Sequence, residues 1–334
     1  MANARSFANQ GIYLQRETVP GTPLVNAMNR YLGINVSSMG WDIQSEAFTP
    51  AGSKVATAEI ETSRLGTMAV EARHDYNGLM PLLAGVFGAP TTTPVVGSTG
   101  AYEHVFAIKP YAADTLAAFT AIFGDTTQAV QASNVVFHGM SFGVTRTGLS
   151  LSTTALLRAP STGAPVPTTG LTVVPMIPPR ASTYCAYLDP TWATLGTSKL
   201  LSLYSSDLSF GDKYSPDWVV DCALDSFSEL IENSDVTMTQ NLTLGFDATA
   251  VSQITDAQDG KFKFVRLEAT GPEIGTSTED HKLTIDTCVK LTPGNITQSS
   301  VSPAVVLDFT GRLMVDPVSG NVAQVTLVNG IASL

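Results

Sequence analysis

Apolar and polar residues alternate in short runs along most of this chain, and the runs have the composition of strands. Val135 to Val144, Gly148 to Leu157, Phe262 to Leu267 and Val305 to Val315 join β-branched and aromatic residues to a partial period of two. Turn chemistry separates them. Asp259-Gly260, the run Asp316-Pro317-Val318-Ser319-Gly320, and Asn329-Gly330 accept positive φ or preset a bend. A different period governs Asn77 to Phe87, where Leu79, Leu82, Leu83 and Val86 form a stripe that Met80 and Phe87 widen, which predicts an amphipathic helix. Asp75 or Asn77 can cap its first turn, Pro81 falls near that end, and Gly88 followed by Pro90 stops it. A weaker helical pattern covers Ala248 to Thr255. The predicted fold class is mainly β.

Between Ala159 and Arg180 the pattern breaks. Six of the 19 prolines fall there: Pro160, Pro165, Pro167, Pro175, Pro178 and Pro179. Proline has no N–H for a ladder, so this stretch is expected to stay unpaired, run extended and act as a connector. The resulting division is an N-terminal arm over 1–23, a first domain over 24–159, a linker over 160–180 and a second domain over 181–334. The two halves also match each other at three places in chain order. Val135-Val136-Phe137-His138 meets Val305-Val306-Leu307-Asp308 at an offset of 170, Ser38-Met39-Gly40-Trp41 meets Ser209-Phe210-Gly211-Asp212 at 171, and His74-Asp75 meets Phe246-Asp247 at 172. Nearly equal offsets point to an internal duplication.

Charge narrows the function classes. The 334 residues carry 29 acidic and 18 basic side chains, a formal net charge of -11, so no basic face is available to neutralise nucleic-acid phosphates. Only Lys261, Lys263 and Arg266 approach a cluster. Charged residues make up 14% of the chain and hydrophobic ones 44%, so the protein is expected to hide more surface than a monomer does. The opening residues lack an apolar core behind a basic start, and no apolar stretch is long enough for a transmembrane helix. Cytosolic synthesis is expected. Cys185, Cys222 and Cys288 lack paired spacing and are expected to be buried, reduced thiols.

Catalytic chemistry is sparse. His74, His104, His138 and His281 are scattered singly. Glu71, His74 and Asp75 crowd a strand end, but alternation puts Glu71 and His74 on opposite faces, so a polar strand end before a helix cap is the better reading. Thr278-Glu279-Asp280-His281 follows Gly271, Pro272 and Gly275 and is read as a solvated loop. No nucleophile elbow, phosphate loop or metal-binding helix motif occurs, and no catalytic, cofactor or metal residues are assigned. Trp41, Trp192 and Trp218 are read as packing residues in preference to a sugar-stacking shelf.

The order of features resembles a family. Gln15-Arg16-Glu17-Thr18-Val19-Pro20-Gly21-Thr22-Pro23 is similar to the E-T-x-x-G-T opening of tail tube (major tail) proteins of long-tailed, siphovirus-type bacteriophages. A hairpin with a long polar loop (Trp41 to Ser63), Asp75-Tyr76 leading into Leu79, Leu82 and Leu83, a Phe119-Thr120 strand, Gly139-Met140-Ser141-Phe142-Gly143, and a closing Val325-Thr326-Leu327-Val328-Asn329 follow in the family's order.

This resemblance implies a β-sandwich or barrel fold with a flanking helix, here duplicated in tandem into two tube domains. It implies a structural virion protein without enzymatic activity or cofactor, whose rings of six domains stack into a hollow tail tube. Double-stranded DNA passes through the lumen without specific binding. Partners implied are further copies of the chain, the tape measure protein, and the tail terminator and tip proteins. Assembly in the host cytoplasm and residence in the virion tail follow. Two domains per chain make the expected ring a homotrimer with pseudo-sixfold symmetry, with a homohexamer as the alternative. Four strands per domain, at about 4.8 Å each, give a backbone diameter near ~37 Å before strand tilt.

Thr57, Glu59, Glu61 and Ser63 alternate with Ala58, Ile60 and Thr62, which makes Glu59 and Glu61 the lumen candidates. Phe48 and Pro50 in one loop, and Tyr214, Pro216 and Trp218 in another, are the candidates for ring stacking. Glu17, Thr18, Gly21 and Thr22 belong to an arm expected to order only on assembly. The competing readings are the inner tube of a contractile tail or of a type VI secretion-like machine, and an extracellular β-sandwich adhesin or carbohydrate-binding module.

Overall fold

The computed structural model describes residues 11–72, 75–125, 127–145, 149–158, 160–162, 166, 169–220, 226–299 and 304–334. Strands β1 (Gly11–Arg16) and β2 (Asn29–Tyr31) precede a long hairpin of β3 (Ile34–Phe48) and β4 (Ala58–Ala72). Helix α1 (Leu79–Phe87) follows, then β5 (Thr91–Pro94), β6 (Tyr102–Ala107), β7 (Phe119–Gly124), β8 (Ala129–Thr145) and β9 (Leu149–Leu157). The proline-rich stretch holds β10 (Ser161–Thr162) and β11 (Thr172–Val174), and β12 (Tyr184–Asp189) comes after it. Beyond lie β13 (Leu203–Phe210), β14 (Tyr214–Asp217), β15 (Glu229–Glu232), β16 (Met238–Gly245) and α2 (Ala248–Gln258). The chain finishes with β17 (Lys263–Glu273), β18 (Asp280–Gln298), β19 (Val305–Leu313) and β20 (Ala323–Asn329). The protein is mainly β, and its main sheet curls strongly into a half-barrel.

Antiparallel neighbours build the heart of that sheet in the order β3-β4-β9-β8-β13-β16-β19-β18. The first four strands and the last four are connected alike. In each, the second strand of a hairpin runs into a helix through a capping aspartate, and a long strand with its return lies beside it. Asp75 Oδ2 accepts the Gly78 N–H at 2.8 Å, and Asp247 Oδ1 accepts the Ala250 N–H at 2.9 Å. The flanks agree as well. β1 pairs with β7 and β7 with β8, just as β12 pairs with β17 and β17 with β18. β10 returns to β8 as β20 returns to β18.

The two helices differ in how deeply they sit. Every residue of α1 is buried, so the stripe read from its sequence is wider than a surface helix needs. Gly85 permits this, since a Cβ there would lie 2.5 Å from Phe137 Cβ and 2.6 Å from its carbonyl oxygen. On α2 only Ala250 and Gln253 are buried. Phe137, Phe142, Leu208, Leu242, Leu267 and Phe309 belong to one apolar cluster that crosses from one half of the chain to the other.

Several sequence expectations change here. The proline-rich stretch does pair, in short pieces between prolines: β10 with β8, and β11 in parallel with β2. Residues 11–23 are part of the folded chain, because β1 is held between β2 and β7; residues 1–10 lie outside the described part. The polar loop from Trp41 to Ser63 is largely strand, since β3 and β4 stay paired as far as Phe48 and Ala58. Asn329 ends β20 as a buried residue, and the chain bends at Gly330 directly after it. The repeat also has a different register. Val135–His138 lies in β8, whose counterpart by pairing is β18, whereas Val305–Asp308 lies in β19, the counterpart of β9. Bulges and unequal loops shift each strand separately, so a constant offset does not survive.

Candidate functional surface

Alternation along the central strands sorts side chains onto two faces. Met140, Phe142, Leu208, Phe210, Leu242 and Phe309 turn into the core. The residues between them form cross-strand rows on the other face. One row runs Glu71, Ser152, Ser141, Ser209, Thr239, Arg312 and Lys290, each opposite the next. The adjacent row runs Ser150, Gly143, Asp207, Asn241, Thr310 and Thr292. Short hydroxyl, amide and glycine positions dominate both rows, and their few charges are mixed in sign. A shallow depression of about 270 Å³ on this face is bordered by Ser37, Glu71, Gly139, Ser141, Ser152 and Thr154. Such a wall offers no large apolar side chain for a base to stack on, and its two cations, Arg312 and Lys290, lie opposite each other at one end of a row.

Glu59 and Glu61 sit on the far part of the β3–β4 hairpin, past the last residue of β4 paired with β9. Both are exposed. Ser45 Oγ donates to Glu59, and Glu61 pairs with Arg64, which holds its carboxyl below the usual carboxylate range. A bulge opposite Gln44 and Ser45 inverts the alternation of β4. By register, Glu59 and Glu61 therefore share a side with Trp41 and Met68, opposite the hydroxyl rows. The alternation seen in the sequence could not reveal that inserted residue.

The stacking candidates separate in the same way. Phe48 is exposed at the hairpin tip, and the Pro50 carbonyl closes a turn with the Ser53 N–H. Tyr214, by contrast, is buried against Ala118 and Val136 in β14, so it does not project from a loop. Pro216 lies in the same strand opposite Leu230, and Trp218 is part-exposed, edge-on to Phe227. Trp41 donates its indole N–H to the Pro160 carbonyl, and Trp192 packs edge-on against Phe264. The three indoles thus have separate partners.

The opening motif has a structural cause. The Glu17 carboxylate is buried and accepts the Gly21 N–H, the Thr120 hydroxyl and the Asn134 N–H, while Gly21 takes φ +84. Thr18 lies in the turn between them, and the Thr22 N–H donates to the Val19 carbonyl. His281, the second residue of β18, is buried, bonded to the Pro272 carbonyl and close to the Tyr76 ring, so it is not solvated. The basic cluster is neutralised: Lys261 and Lys263 pair with Asp256, and Arg266 pairs with Asp286. Cys185 and Cys288 are free, and burial pushes the Cys288 thiol up to about 12. Arg73, His74 and Cys222 fall outside the described residues.

A buried ion pair escaped the sequence reading. Lys213 Nζ donates to the Val86 carbonyl at the end of α1 and to Asp114, with Glu232 3.7 Å away. No local motif marks it, because its members are about a hundred residues apart. The hydroxyl rows did leave a signal, the alternation of small and large residues in Gly139 to Gly143 and Leu149 to Thr153. Among the described residues no cluster of His, Cys, Asp and Glu could hold a metal, and no helix is long and apolar enough to cross a membrane. Neither the family models nor the curated proteins compared with this chain match it.

Proposed function

We propose that this chain is the structural subunit of a bacteriophage tail tube, polymerising into stacked rings whose hollow centre conducts double-stranded DNA during ejection into the host. The observation that carries the reading is the repeated four-strand unit in one curled sheet, with helices and core on one side and, on the other, rows of mostly short hydroxyl, amide and glycine positions whose four charges, Glu71, Asp207, Lys290 and Arg312, balance. A conduit must let DNA slide, and a wall that neutralised several phosphates would retain it by counterion release. The hydroxyl rows replace Glu59 and Glu61 as the proposed lumen lining. Two units per chain favour a ring of three copies with pseudo-sixfold symmetry; six copies remain the alternative. The subunit acts as no enzyme in this reading, works with tape measure, terminator and tip proteins, and resides in the virion tail after assembly in the host cytoplasm. The tryptophans lend the adhesin reading little, because Trp41, Trp192 and Trp218 have separate partners and form no common shelf. Electron microscopy of the purified protein is expected to show tubes with a regular axial repeat, and end-on views give the symmetry. A stable monomer at high concentration in all conditions overturns the reading.

A further inference from the structure

The eight-strand sheet has two open edges. Among the described residues β3 pairs only with β4, and the 290–298 half of β18 pairs only with β19. Both edges expose apolar side chains: Ile296 is 56% exposed and Trp41 46%. An edge of this kind invites another strand.

The chain itself contains the matching junction. Where the two units meet, β8 pairs antiparallel with β13, placing Phe142 opposite Leu208, Met140 opposite Phe210 and Gly143 opposite Asp207. Superposing the capping aspartates Asp75 and Asp247 and following the pairings outward converts each strand into its counterpart. Through β4 and β16, Asp207, Leu208 and Phe210 of β13 become Ser38, Met39 and Trp41 of β3. Through β9 and β19, Met140, Phe142 and Gly143 of β8 become Pro293, Ile296 and Thr297 of β18. Phe142, Leu208 and Phe210 are buried by the neighbouring unit, whereas Ile296 and Trp41 are exposed for want of one.

We infer that β3 of one copy pairs antiparallel with the 293–298 stretch of β18 of a second copy, with Met39 opposite Ile296, Ser38 opposite Thr297 and Trp41 opposite Pro293. The contact uses different surfaces on the two copies, so repetition closes a ring or extends a filament and does not stop at a symmetric pair. It rests on the self-assembly proposed above and names the surface that assembly uses. Main-chain pairing supplies affinity, and the apolar pairs supply register.

Cysteine cross-linking tests it in the full chain, with Cys185 and Cys222 changed to serine. Directly opposed residues have Cα atoms about 4.5 to 5.5 Å apart, within disulfide reach. The double variant Ser38→Cys with Thr297→Cys is expected to give a ladder of disulfide-linked oligomers on mild oxidation. Ser38→Cys with Gln298→Cys, one residue out of register, is expected to give at least ~10-fold less, since its side chains point to opposite faces. Ile296→Lys is expected to leave the melting temperature of the free subunit unchanged while abolishing assembly. Tubes that form without the Ser38–Thr297 cross-link overturn the pairing and leave the tube reading standing. Disulfide dimers from Ser38→Cys alone, or a subunit that stays monomeric throughout, also overturn it. Cross-linked rings that never stack keep the pairing and overturn the tube.

Discussion

Asp75 shows how much one side chain can organise. Its carboxylate receives the Gly78 N–H ahead of α1 and the Ile177 N–H of the proline-rich stretch at 2.6 Å, so helix entry and connector are tied at one point. Asp75→Ala strips buried N–H groups of their acceptor and is expected to cost about 2 kcal/mol in chemical denaturation. Asp247→Ala, on a more exposed cap, is expected to cost less. Lys213→Met leaves Asp114 buried without its cation and is expected to cost about 3–5 kcal/mol, most of which replacing Asp114 as well should restore. Burial lowers the pKa of His104, which sits between Thr92 and Asn329, and that of His138, although Asp212 at 3.1 Å opposes the shift at His138. The fold therefore favours both neutral imidazoles. Their contribution is full above the ordinary histidine value of about 6.5 and is lost as pH falls through the lowered folded values. Melting temperature should drop on acidification below that point, and less so in His104→Gln. At this scale the legible residues were those whose partners are local, such as Asp75 and the helix stop at Gly88. Tyr214 and His281 were misread because the groups that bury them, Val136 and Tyr76, lie far away in sequence.

The elements themselves were largely readable, their registers were not. The strands around Val135, Leu149, Lys263 and Val305 and both helices form where period and punctuation place them. Pairing then adds bulges at Val36/Ser38, Gln44/Ser45 and Pro293/Ile296, each of which changes which face a residue occupies. That is why Glu59 and Glu61, sound as an alternating pattern, end on the side away from the hydroxyl rows. Helix α1 gives an element-scale test. Gly85→Ala inserts a methyl against the β8 backbone, which cannot yield as a flexible side chain can, and is expected to cost about 1–3 kcal/mol. A substitution of similar size at Ser252 on exposed α2 should have little effect, and thermal melts of both variants make the comparison.

Across the whole molecule the acidic balance and the scarcity of charge acquire a location. Basic side chains are paired with carboxylates at Asp256 and Asp286, and the hydroxyl rows carry only Lys290 and Arg312 as cations among the positions described above. Assembled protein is accordingly expected to retain duplex DNA weakly at moderate salt. Ser141→Lys combined with Ser209→Lys places adjacent cations in the middle of the sheet, and is expected to leave tubes intact by microscopy while slowing DNA release in a salt-dependent way. Retention that is equally weak in the variant would show that this face does not meet DNA.

Joining β8 to β13 within one polypeptide also has a kinetic side. Half the seams of the proposed ring are closed during folding, at the high effective concentration of a tethered partner, before any two subunits meet. Only three seams then remain to form between molecules where six separate domains would have six. Ring formation should accordingly show a shallower dependence on subunit concentration, and a dilute pool of subunits could still nucleate a tube.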